Sequence, residues 1–172
     1  MFRPRHLLAA FPLLLLVACS DQATTPTGVA RAPVPAANTD LIGTIMRTSG
    51  REGGIQLVPD GGGAILLFGD QTELLMGLVD AGVRVQVHGT LDLVEGMAVE
   101  RFLVLGVNGH DAMDGTVVQT DDGYALRLTV DDSMLPLIDP PAALKELAGE
   151  RVWVVGGRDE PAEAFGIIGH RG

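Results

Sequence analysis

The chain has 172 residues, with 22 acidic against 12 basic side chains and a formal net charge of −10. A surface this acidic repels phosphate backbones, and the few aromatic residues offer little for bases to stack on, so nucleic-acid binding is excluded as a reading. A single cysteine excludes an internal disulfide, and folding must rest on an apolar core.

The first element is residues 1–18. Arg3 and Arg5 precede an apolar run, Leu7 to Val17, far shorter than the roughly 20 residues a membrane span needs. A small residue, Ala18, then precedes Cys19, which completes the anatomy of an export signal. Leu16 is too large for the third-last position of an ordinary signal cleavage site. The stretch Leu16-Val17-Ala18-Cys19 resembles the lipobox of bacterial lipoproteins. That resemblance implies that the signal is removed and that diacylated Cys19 becomes the N-terminus. Loss of Arg3 and Arg5 takes the formal charge from −10 to −12. An anchor of more than one acyl chain is stable, each buried CH₂ contributing about 0.8 kcal/mol. Ser20 rather than Asp21 follows the cysteine, which by the same resemblance favours the outer membrane, facing the periplasm, over the inner membrane.

Residues 19–39 read as a tether, with Thr24-Thr25-Pro26-Thr27 and Ala32-Pro33-Val34-Pro35 showing no apolar period. Beyond it the chain repeats itself. Ile42-Gly43-Thr44-Ile45 corresponds to Asp114-Gly115-Thr116-Val117, Ala81-Gly82-Val83-Arg84-Val85 to Ala148-Gly149-Glu150-Arg151-Val152, and Val99-Glu100-Arg101-Phe102 to Ala162-Glu163-Ala164-Phe165. Within each copy a strand (41–47; 113–120), a second strand (55–58; 124–130) and a third apolar run (64–68; 134–138) lead to a short helix (72–79; 142–147). Leu74, Leu75 and Leu78, and Leu144 and Leu147, fall at helical spacing there. Gly82 and Gly149 follow as C-terminal caps, and two further strands complete the unit.

Five strands with a helix between the third and fourth is the order of an OB-type barrel. The expected fold class is therefore all-β with short helices, as two tandem five-stranded OB-like barrels over residues 40–109 and 110–172. Two SH3-like barrels or one merged β-sandwich are the alternatives. The Gly-Thr-Val opening and the Gly-x-x-Val-x-Val-x-Gly fourth strand resemble those of small bacterial envelope domains of unknown function, a resemblance that implies a fold and no activity.

Chemistry is sparsely signalled. Ser20, Ser49 and Ser133 lie in no nucleophile motif, and no free thiol remains once Cys19 is acylated. His88, His110 and His170 lack metal-ligand spacing, and Asp121-Asp122 and Asp131-Asp132 read as turns, so neither a metal nor a cofactor is expected. Gly61-Gly62-Gly63 lacks the lysine and helix of a phosphate loop and reads as a hairpin turn. In the fourth strands, alternation sets Val83, Val85 and Val87 against Arg84, Gln86 and His88, and Val152 and Val154 against Arg151 and Trp153. Trp153, Arg151, Arg84 and His88 are thus the candidate interface residues, with burial of Trp153 between the two halves as the competing use. The expected function is a lipid-anchored, non-enzymatic envelope module that binds a protein or cell-wall polymer. A small-ligand or cation binder is the alternative, and a carboxylate-based hydrolase the second alternative.

Overall fold

The computed structural model describes residues 37–49 and 53–169. The export signal, Cys19, the tether up to residue 36 and His170 lie outside them. The described chain is all-β with two short helices. Its elements are β1 (Ala37–Arg47), β2 (Ile55–Pro59), β3 (Ile65–Phe68), α1 (Thr72–Met76), β4 (Val83–Asp92), β5 (Gly96–Val107), β6 (His110–Thr120), β7 (Gly123–Leu128), β8 (Met134–Pro136), α2 (Ala142–Lys145), β9 (Arg151–Gly156) and β10 (Ala162–Ile167). Among the described residues no helix is long and apolar enough to cross a membrane.

The elements repeat in the expected order, β-β-β-α-β-β, and so does their register. Gly43 lies opposite Val85 on β4, and Gly115 opposite Val152 on β9. Thr44 faces Arg84 just as Thr116 faces Arg151. Even an irregularity recurs. One extra residue, Glu100, bulges from β5 against β4, and Glu163 bulges from β10 against β9 at the matching place. A bulge twists and bends its strand, so its repetition preserves the same curvature in both copies.

In the first half the pairings run β1–β2, β2–β3, β3–β5, β5–β4 and β4–β1, a circuit that returns to its start; β3–β5 is its one parallel step. In the second half β8–β7–β6–β9–β10 are paired in series, and among the described residues β8 does not pair with β10. The cause is local. Leu137 N–H donates to Tyr124 C=O, and Ile138 N–H donates to Gly157 C=O, so the chain leaves β7 for the turn between β9 and β10. The strand expected over 134–138 therefore stops at Pro136.

Other boundaries shift for similarly local reasons. The strand expected from Leu41 begins at Ala37, because β4 continues to Asp92 and offers Gly89, Thr90 and Leu91 as partners to Thr39, Asn38 and Ala37. Helix α1 ends at Met76, before Gly77, a poor helix former. A 3₁₀ turn (Val79–Ala81) follows, and Gly82 reverses the chain at φ 59°.

The alternating valines of β4 and β9 point inward: Val83, Val85, Val87, Val152 and Val154 are fully buried. One apolar cluster gathers β1–β5 with Leu75 and Leu78, and the other gathers Val117, Leu126, Leu144, Leu147, Val152 and Val154. Val155 and Ile168 of the second half belong to the first cluster, and all the strands fall within one compact unit. The two halves are thus not set apart as separate compact units.

Gly43 and Gly115 show why glycine opens both copies. A Cβ on Gly43 would stand 2.3 Å from Val58 O, and one on Gly115 2.5 Å from Arg127 O, each a rigid backbone carbonyl. Gly43→Ala and Gly115→Ala are each expected to cost at least about 1–3 kcal/mol through overpacking. Gly61→Ala, in a turn with open space around it, should leave the thermal midpoint unchanged. Thermal unfolding of the three variants checks this.

Candidate functional site

Two neighbouring arrangements contain most of the chemistry: a buried ion pair and, beside it, a polar groove. The ion pair arises where a ladder stops. β5 and β6 pair only at Gly106–Asp111 and Val107–His110, then splay apart. The backbone polar groups of β5 beyond that point need other partners. Asp114 on β6 supplies one: its Oδ2 accepts the Val104 N–H at 2.9 Å. Arg151 on β9 supplies the other, Nη2 donating to Phe102 C=O at 2.7 Å.

Asp114 and Arg151 also bind each other by two parallel bonds, Nε to Oδ1 at 2.8 Å and Nη2 to Oδ2 at 2.7 Å. Thr129 Oγ1 donates to Oδ1 at 2.8 Å, so each carboxylate oxygen accepts two donors. The guanidinium lies 4.7 Å from the centroid of the Phe102 ring, within cation–π range. Asp114, 6% exposed, is the buried charged side chain among the described residues. Its acceptor capacity is used up, so the pair is a joint between the halves.

The groove runs over the outer face of β1, β4 and β5. Asp40, Gln86, His88, Arg101, Phe102 and Leu103 line it, and Thr129 and Val130 wall it from the second half, enclosing about 290 Å³. A shallower extension of about 230 Å³ passes Leu103 toward Ala112, Met113 and Leu128. His88 Nδ1 lies 3.1 Å from Asp40 Oδ1, and its Nε2 lies 3.8 Å from Glu100 Oε2. Gln86 Nε2 donates to the same Asp40 oxygen at 3.4 Å. Arg101 faces His88 across the ladder because the Glu100 bulge shifts the register by one residue. Among the described residues Arg101 enters no ion pair, and Val130 is largely exposed above the groove. The groove thus offers hydrogen-bonding groups of both signs over an apolar strip.

Of the residues singled out in the sequence, His88 lies in the groove and Arg84 does not. Arg84 is exposed and pairs with Asp60 on the turn after β2. Arg151 is committed to the joint. Trp153 is half-buried against the first apolar cluster, and its ring lies over Gly166, where a Cβ would stand 2.7 Å from it. These contacts set Trp153 against residues of both halves. Cys19 lies outside the described residues. Asp131 Oδ1 accepts the Ser133 N–H, as a turn residue does, and Gly62 N–H closes the glycine turn onto Pro59 C=O. Among the described residues no three His, Cys, Asp or Glu side chains converge as a metal-holding group. Neither Ser49 nor Ser133 lines the groove.

Asp40, Arg101 and the role of Asp114 were not read from the sequence. Asp40 does continue the outward alternation of β1 two residues before Ile42, a signal hidden by its assignment to the start of the domain. Asp114 stands at the start of the strand expected over 113–120, where nothing in the spacing marks it as buried and paired. Its partners come from β5, β9 and the loop after β7.

Removing Asp114 should cost far more than removing any exposed pair. Asp114→Ala strands Arg151 and is expected to destabilise by about 3 kcal/mol, the lower end of the range for a broken buried pair, because the Arg151 side chain is 25% exposed. Arg84→Ala should cost under about 1 kcal/mol. Urea unfolding of both variants measures the difference. Compared with known protein families, curated proteins and solved structures, the chain matches none of them.

Proposed function

We propose that the protein is a lipid-anchored, non-enzymatic module of the cell envelope. It binds a protein or cell-wall partner through the groove over β1, β4 and β5. The observation that carries this reading is the groove itself, where Asp40, Gln86, His88 and Arg101 surround Leu103 and Val130. Of the other interface candidates, Arg151 and Trp153 are engaged inside the molecule and Arg84 pairs with Asp60 away from the groove. The anchor rests on the lipobox-like stretch ending at Cys19, and the outer membrane on Ser20 following it.

We infer further that each half is an OB-like five-stranded barrel, the first closed and the second open. The closed circuit β1–β2–β3–β5–β4, the recurring registers of Gly43 and Gly115 and the recurring bulges at Glu100 and Glu163 support that reading. A second reading, a small-ligand site, is favoured by one observation. At about 290 Å³ the groove lies at the lower bound of small-molecule pockets, with polar groups converging on it.

A photoreactive amino acid at Leu103, in cells, tests the first reading. The expected result is a discrete adduct with an envelope protein or a glycan. Arg101→Glu should reduce it roughly tenfold, the equivalent of about 1.4 kcal/mol of binding. Crosslinks confined to the protein itself would overturn the partner reading. A small molecule retained by the purified protein and lost in the same variant would favour the second.

A further inference from the structure

We propose that the turn between β4 and β5 is a second membrane contact, with Leu93 and Val94 entering the apolar edge of a zwitterionic bilayer. The proposal rests on the lipid-anchor reading above. Leu93 is 74% and Val94 93% exposed, adjacent at the tip of a hairpin. Hydrogen bonds and a close backbone approach shape the tip. Asp92 Oδ1 accepts the N–H groups of Val94 at 2.7 Å and Glu95 at 3.0 Å. Gly96, at φ 118°, sits so close to the Leu66 carbonyl that a Cβ would stand 2.3 Å from its oxygen. Apolar surface continues behind the tip, where half-exposed Leu66 and Ile65 line a cleft of about 340 Å³ with Leu91, Leu93 and Val94.

What selects a bilayer as the occupant is where the chain enters the fold. Ala37, the first described residue after Cys19, pairs with Leu91, two residues before Leu93, and so lies beside the tip. The segment from Cys19 to Ala37 can reach at most about 60 Å from the anchor. The end of the fold at which the chain from Cys19 enters is therefore the end that exposes Leu93 and Val94. Asp92 and Glu95 flank the tip, and like-charge repulsion disfavours anionic headgroups.

The test uses the full acylated protein on phosphatidylcholine–phosphatidylethanolamine vesicles containing nitroxide-labelled lipid. With the Cys19 thiol acylated, Val94→Cys provides a unique site for an environment-sensitive fluorophore. Ser49→Cys, at the opposite end of β1, is the control. The expected result is a blue shift and strong quenching at position 94 and neither at position 49. Leu93→Asp or added phosphatidylserine should reverse both effects. Position 94 as wet as position 49, on protein that remains with the vesicles, overturns the contact while leaving the anchor standing. An N-terminal peptide whose mass lacks acyl chains overturns the anchor and the contact with it. Position 94 wet on vesicles but protected in intact envelopes assigns the tip to a protein partner and overturns the bilayer.

Discussion

A carboxylate buried where two strands have stopped pairing is the constraint that fixes the two halves of this molecule on each other. Asp114 accepts from the Val104 backbone, the Thr129 hydroxyl and two nitrogens of Arg151, while Arg151 reaches on to Phe102 C=O. Burying a charge is costly unless every lone pair is satisfied, and here the donors come from β5, β9 and the loop after β7. Sliding one half by a single residue would separate the carboxylate from at least one of them. The groove inherits this rigidity. Phe102 and Leu103 on its floor belong to the strand that the ion pair holds, and Thr129 is both a donor to Asp114 and part of the groove wall.

The two copies solve one local problem with exchanged parts. Arg84 and Arg151 hold equivalent places, each opposite a threonine of the opening strand. In the first copy the anion stands after the second strand, as Asp60, and the opening strand carries Ile42. In the second copy the opening strand carries Asp114, and the place after the second strand holds Thr129. The backbone is common to both: Asp60 N–H donates to Ile42 C=O, and Thr129 N–H donates to Asp114 C=O. Moving the carboxylate by one strand changes its character. Arg84–Asp60 is exposed and worth little, whereas Arg151–Asp114 is shielded by β5.

Much of the fold was legible because it depends on local chemistry. Alternating valines gave the inward faces of β4 and β9, leucine spacing gave the short helices, and glycines before and after each element gave the punctuation. The motif Gly-Thr followed by apolar residues, once in each copy, marked a repeat that the ladders reproduce residue by residue. The site was less legible, because its members meet only through tertiary structure. Asp40 pairs with His88 one residue before Leu41, where the apolar pattern of β1 starts. Arg101 comes opposite His88 through a bulge that no spacing reveals. The open second half follows from two backbone hydrogen bonds, those of Leu137 and Ile138, that no side-chain pattern encodes.

The β1–β4 ladder has a mechanical consequence. Eight residue pairs, from Ala37↔Leu91 to Thr44↔Arg84, join the strand that enters the fold to the strand beneath the groove. A pull on the chain ahead of Ala37, directed along β1, loads those pairs in shear, so they resist together rather than opening one after another. Force arriving at the N-terminal end is thereby borne by the same strand that presents Gln86 and His88. The ladder can carry tension between the chain ahead of Ala37 and the groove face without passing it through the apolar core.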